Sequence, residues 1–231
     1  AVFTQNSFAA APVIVSREHI RGGSIRGVIV NAGNANACTG EQGLADAREM
    51  AQLAAQKLQC EPTQVLVAST RVIGTPLTMD LIRQAAEEIE FGPEGARRIP
   101  RAIMTTDTRP KMAGCEFEVG GRSVRMGGIA KGAAMIHPNM ATMLAFVTTD
   151  AAVEPGFLQQ AIRAAADDTF NMISVDGDTS TNDTLVVLAN GAAGNGMVSG
   201  GEDAAVFVEV LTYVCGVLAK EMVAGADVRQ N

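Results

Sequence analysis

Residues 131–145 read Lys131-Gly-Ala-Ala-Met-Ile-His-Pro-Asn-Met-Ala141-Thr142-Met-Leu-Ala145. Thr142 follows a small residue, Ala141, and precedes an apolar run from Met143 to Val147. This is the pattern of an N-terminal nucleophile before its own peptide bond is cut. A threonine freed at its α-amine carries nucleophile and general base on one residue, the amine taking the proton while the hydroxyl attacks. The α-amine has an ordinary pKa of about 7.7–8.0, near neutral pH and so suited to that task. An Ala-Thr pair alone carries no information in an alanine-rich chain; the value lies in what surrounds it.

Working outward, residues 143–148 predict a strand directly after Thr142. Upstream, Gly120-Gly121 between residues 116–119 and 123–126 is a two-residue hairpin signal. Residues 26–31 and 64–69 read as short strands, and the glycine- and asparagine-rich stretch 31–43 as a loop. Helical spacing of Leu44, Ala47, Ala51, Ala54 and Leu58 predicts a helix over 44–58. Pro76 opens a second helix to about Ile89, with Gly92, Pro93 and Gly95 stopping it. Residues 102–106 read as a strand ending in a polar turn. Pro155 opens a helix to about Phe170 with Phe157, Ala161, Ile162, Ala165 and Ala166 inward. Residues 185–188 read as a strand, 190–201 as a glycine-rich loop and 204–223 as a long helix. Helices alternate with strands around a central hairpin, which predicts a mixed α/β fold. No repeat or low-complexity tract interrupts it.

The 231 residues are 47% hydrophobic, enough for a real core, and with no Trp and one Tyr that core is mostly aliphatic. A net charge of −7 argues against nucleic acid, whose binding rests on Lys and Arg contacts to phosphate. Cys38, Cys60, Cys115 and Cys215 match no zinc or redox spacing and read as buried free thiols of a reducing compartment. His19 and His137, the only histidines, do not make a metal site. No apolar run reaches the length of a membrane span, and the chain shows no signal peptide. The default expectation is a cytoplasmic protein without a cofactor or metal.

The motif from Ala130 to Leu144 resembles the ornithine acetyltransferase family, also called the bifunctional arginine biosynthesis family. Further blocks follow the family's order: Val2-Phe3-Thr4, Ala11-Pro12-Val13, Asn31-Ala-Gly-Asn-Ala-Asn-Ala-Cys38-Thr39-Gly40, Ala102-Ile-Met-Thr-Thr-Asp107 and Asp176-Gly-Asp-Thr-Ser-Thr-Asn-Asp-Thr184. The resemblance implies sheets packed face to face and flanked by helices, with the active site between the two halves of the chain. It implies self-cleavage between Ala141 and Thr142, giving an α-like piece (1–141) and the start of a β-like piece (142–231) of one structural domain. Thr142 would then pass an acetyl group from N-acetylornithine to glutamate, with acetyl-CoA as a further donor in bifunctional members. The pieces would assemble as an oligomer.

The family's oxyanion hole lies in a Ser-Thr-Gly-Val-Ile-Gly block. Here the block is Ser69-Thr70-Arg71-Val72-Ile73-Gly74. Thr70 is kept, and Arg71 stands where the family has glycine, adding a long cation where a positive φ is wanted. Either the Arg71 backbone still points correctly with its side chain in solvent, or catalysis is impaired and the chain is an inactive relative that only binds. Thr105 and Lys131 match substrate-contacting positions. Lys131 is able to pair with a substrate carboxylate, or is a solvated lysine on a glycine-rich turn. Thr105 hydrogen-bonds substrate or caps its own turn. Asp176, Asp178, Asn182 and Asp183 lack the spacing of a calcium loop and read as turn formers that support neighbouring site residues. Past Lys220 the family continues into an Asp-Gly-Glu-Gly-Ala-Thr-Lys block that this chain lacks, Asp227 being no secure replacement. The expectation is a chain truncated at both ends.

Overall fold

Gly120 and Gly121 both take left-handed φ angles, +56° and +72°, the geometry that a two-residue hairpin turn demands and that side chains resist. They join strand β4 (Lys111–Val119) to β5 (Arg122–Lys131), antiparallel with Val119 opposite Arg122 and Lys111 opposite Ala130. The turn lies where the sequence predicts it, and both strands run further. The structure, a computed structural model, describes residues 1–132, 143–174 and 179–225.

The chain forms two compact units, the first Ala1–Val2, Thr106–Ser180 and Thr184–Asn231, the second Phe3–Thr105 and Thr181–Asp183. A five-stranded sheet ordered β1-β7-β6-β5-β4 dominates the first, with β1 at Val2–Phe3, β6 at Leu144–Thr149 and β7 at Thr184–Ala189. β6 runs antiparallel to β5, with Lys131 opposite Leu144, and parallel to β7. Leu144, Ala145 and Val147 are buried, as a near-continuous apolar strand between paired neighbours should be.

Two helices cover this sheet. Helix α6 (Gly201–Ala224) packs on β4 and β5, with Phe207, Leu211, Val214, Leu218 and Met222 buried. Those positions recur every three or four residues, which puts them on one face. Close packing needs Gly128 in β5, where a Cβ would come within 2.9 Å of Leu218 Cδ1 and 3.1 Å of Val147 Cγ2. The other helix (Pro155–Asp167) packs against α6 and buries Ala161, Ile162, Ala165 and Ala166 as predicted; we number it α5. Pro155 occupies its first turn, and the Glu154 carboxylate accepts from the N–H groups of Gly156 at 2.9 Å and Phe157 at 2.6 Å. That caps two of the donors a helix start leaves unpaired.

In the second unit β2 (Gly27–Asn34) and β3 (Val65–Val72) pair in parallel, joined through helix α2 (Gly40–Leu58). Helix α1 (Ala11–His19) and α2 pack on β3. Val15, Ala47, Met50, Ala51, Val65 and Val67 form the core here.

The mixed α/β fold with sheets flanked by helices is the one expected from the sequence. Local differences have clear causes. β2 continues to Asn34 and α2 starts at Gly40, so the expected 31–43 loop shrinks to a short connection. The second predicted helix, α3, covers only Met79–Glu88. Gly92-Pro93 does not merely stop it: Pro93 is the first residue of a further helix, α4 (Pro93–Ala102), the position proline suits because its missing N–H is unneeded there. The strand expected over 102–106 is therefore absent; Ala102 closes α4 and a turn follows. Helix α1 was not predicted, since Val13-Ile14-Val15 reads as strand-like. Among the described residues no helix is long and apolar enough to cross a membrane, and no cluster of candidate metal ligands occurs. All four cysteines are free, but only Cys215 is buried and Cys38 is exposed, which corrects the expectation of four buried thiols. Burial pushes the Cys215 thiol up to about 12, so it is inert.

Candidate active site

The outer edge of β3 is closed by side chains. With β2 on one side, the other side carries N–H and C=O groups that no strand among the described residues pairs, and a buried backbone group must be satisfied somehow. His19 donates from Nδ1 to the Val65 carbonyl at 2.7 Å. The Ser16 hydroxyl donates to the Val67 carbonyl and accepts from the Val67 N–H, both at 2.8 Å. The Asn182 amide donates to the Ser69 carbonyl at 2.9 Å and to the Ala35 carbonyl at 2.6 Å. Toward β2, the Val72 carbonyl accepts from Ala35 N–H at 2.8 Å.

These contacts fix where the next groups point. Along a strand the backbone groups of successive residues alternate between the two edges. Val67 and Ser69 face outward and Val72 faces β2, so the Thr70 carbonyl faces β2. The Thr70–Arg71 peptide is planar and trans. Its N–H, that of Arg71, therefore points outward, on the same edge as the Ser69 carbonyl. Rotation about φ of Arg71 occurs beyond this N–H and leaves its direction unchanged.

Arg71 adopts φ +108°, a region that favours glycine, opposite Gly33 at φ +149°. Both strands take a positive φ at the same register, and only β2 meets it with glycine. Holding Arg71 there costs about 1–3 kcal/mol. Its side chain is exposed while Thr70 beside it is buried. The backbone thus keeps a glycine-like course, with the arginine side chain turned to solvent.

Thr105 is half-buried in the turn after α4, in the same unit as Thr70 and Arg71. Lys131 is the last residue of β5 in the other unit and is 3% exposed. That rules out the solvated-lysine alternative. The strand end is anchored next to it: Gly132 N–H donates at 2.8 Å to Asp107 Oδ1, which also takes the Lys111 ammonium at 2.5 Å. Both side chains of this ion pair are fully buried. Ala141 and Thr142, with His137, Asp176, Asp178 and Asp227, lie outside the described residues. Asn182 was expected to form a turn and to support neighbouring site residues; its contacts span 113 and 147 positions, and no spacing in the sequence announces which groups it holds. A cavity of about 580 Å³ lined by Glu18, His19, Arg48 and Gln52 includes none of the candidate catalytic residues.

The crystal structure of arginine biosynthesis bifunctional protein ArgJ from Bacillus halodurans is 44% identical with a TM-score of 0.59, over 61% of this chain and 75% of that one. The ornithine acetyltransferase of Mycobacterium tuberculosis complexed with ornithine is 31% identical with a TM-score of 0.50, over 62% and 76%. The chain belongs to the ArgJ family, whose profile matches residues 1–229. Arginine biosynthesis bifunctional protein ArgJ of Symbiobacterium thermophilum is 53% identical over 224 residues, 96% of this chain and 56% of that protein. The chain thus spans a little more than half the length of such relatives.

Proposed function

We propose that this chain carries the acyl-transfer chemistry of an arginine-biosynthesis acetyltransferase acting in the cytoplasm. Cleavage between Ala141 and Thr142 frees the Thr142 amine. That amine takes the Oγ proton as Oγ attacks the acetyl carbonyl of N-acetylornithine. An Oγ–carbon bond forms, the amide C–N bond breaks, and ornithine leaves with the proton. Glutamate's amine then attacks the acetyl ester, its proton returns to Thr142 Oγ, and N-acetylglutamate is released. Thr70 and the Arg71 N–H donate to the oxyanion that develops on the acetyl oxygen. Lys131 pairs with a substrate carboxylate and Thr105 hydrogen-bonds the substrate. Acetyl-CoA is a further candidate donor, and the α-like and β-like pieces associate into an oligomer.

The observation that carries this reading is the outward Arg71 N–H beside buried Thr70 at the edge of β3 facing away from β2, in a chain of the ArgJ family. The test is acetyl transfer followed by mass spectrometry, with N-acetylornithine and glutamate supplied to purified protein. Equal amounts of ornithine and N-acetylglutamate are expected from the wild type and neither from Thr142→Ala; equal product from both would overturn the assignment. A second reading, a catalytically impaired relative that keeps the fold and binds ligand, is favoured by the strained Arg71 backbone. It predicts no transfer by the wild type and a gain of transfer in Arg71→Gly.

A further inference from the structure

We infer that Asn182 is a positioning residue for the oxyanion donors: its amide holds the Ser69 carbonyl in place of a neighbouring strand and leaves the Arg71 N–H outward and unconsumed. The inference rests on the reading of Thr70 and Arg71 as oxyanion donors, and it concerns a residue that touches neither substrate nor nucleophile.

A parallel strand at this edge would engage donors and acceptors together. A paired strand residue gives its N–H to the carbonyl of residue i and takes the N–H of residue i+2 with its own carbonyl. Applied to β3, a neighbour bonded to the Ser69 carbonyl would also consume the Arg71 N–H. Asn182 supplies only the donor half of that pattern. Both hydrogens of its Nδ2 are spent, on the Ser69 carbonyl at 2.9 Å and the Ala35 carbonyl at 2.6 Å. Its Oδ1 accepts from the Thr181 hydroxyl at 2.6 Å, which sets the orientation of the amide. The side chain is 5% exposed, so these bonds are formed away from competing water and hold firmly.

Only three residues, Thr181–Asp183, bring this part of the chain into the second unit. Their backbone is tied there too: Thr4 N–H donates to the Asp183 carbonyl and Ala10 N–H to the Thr181 carbonyl, both at 2.9 Å. Asn182 is therefore delivered on a braced segment. The two carbonyls it joins lie on neighbouring segments, Ser69 in β3 and Ala35 just past β2, so the amide also sets the spacing of the two segments beside their positive-φ residues. Preorganised donors stabilise developing charge because they need not reorient during reaction.

The test uses Asn182→Asp, which keeps the shape and sets an acceptor against two carbonyls, and Asn182→Ala, which removes the bonds without repulsion. The full chain, labelled with ¹⁵N, is examined by ¹H–¹⁵N correlation spectra. Displacement of the Arg71 amide resonance is expected in both variants, while the Val67 amide, held by Ser16, stays in place. In acetyl transfer, kcat is expected to fall about 10²-fold, the effect of losing one oxyanion donor. KM for N-acetylornithine stays within about twofold, as for an interaction made only in the transition state. An unmoved Arg71 resonance, or a rise in KM with kcat intact, would overturn the inference. If the wild type transfers no acetyl group, the acyl-transfer reading fails by itself, and the Arg71 resonance alone decides whether Asn182 holds this edge.

Discussion

β6 and β3 satisfy their backbones in opposite ways. β6 sits between β5 and β7 and is bonded to a strand on each side. Among the described residues β3 has a strand on one side only, and single side chains, those of His19, Ser16 and Asn182, bond to its other edge. A strand ladder takes every N–H and every C=O in turn. Side chains take them selectively, and selection is what allows one donor, the Arg71 N–H, to stay directed outward. Edges closed by side chains depend on individual residues, so single substitutions there should count for more than at a laddered strand.

The largest effect is expected where a side chain holds backbone at the end of β5. Asp107→Ala strands the buried Lys111 ammonium and the Gly132 N–H together, and should destabilise the chain by about 3–5 kcal/mol, read by denaturant unfolding. An effect under about 1 kcal/mol would mean that water reaches the site, contrary to the full burial of the pair. Next comes Ser16→Ala, which leaves both the N–H and the C=O of Val67 unpaired in a buried setting, at about 1–3 kcal/mol. Hydrogen exchange should quicken at the Val67 amide while the amides of β6 keep their protection; uniform loss of protection would erase the contrast between the two strands.

Arg71→Gly is expected to act in the other direction. It relieves the backbone strain but adds freedom to the unfolded chain, for a net gain of about 1 kcal/mol. A loss of stability would show that the exposed arginine makes a contact worth more than its strain. The smallest effect concerns Glu154. The N–H groups of Gly156 and then Phe157 hold its carboxyl below the ordinary value. Its contribution is therefore present above the unfolded carboxylate pKa and is lost as pH falls through the lower folded one. Melting of wild type and Glu154→Gln should differ by a few degrees at neutral pH and converge in acid. A gap that persists in acid would assign the effect to geometry rather than charge.

Much of this was legible from residues alone. Gly120-Gly121 marks the hairpin because few other residues accept that turn. The α2 and α5 stripes show their period directly, and Ser69-Thr70-Arg71 stands out against a family block. Other features had no local signature. α4 hides behind Gly92-Pro93, a pair that ends one helix and starts the next, and it carries Pro100 in its interior. α1 is masked by a β-branched run. Lys111 reads as an ordinary surface lysine until Asp107 and Gly132 are seen around it. Asn182 is indistinguishable from its polar neighbours in sequence, because its role depends on carbonyls more than a hundred residues away.

Whether Thr142 is freed is read from the intact mass of the purified protein under denaturing conditions, followed over a long incubation. Two species, residues 1–141 and 142–231, are expected in wild type and a single full-length species in Thr142→Ala. A wild-type chain that stays at full length would have no Thr142 amine to act as base, and would contradict the claim that this chain performs acyl transfer.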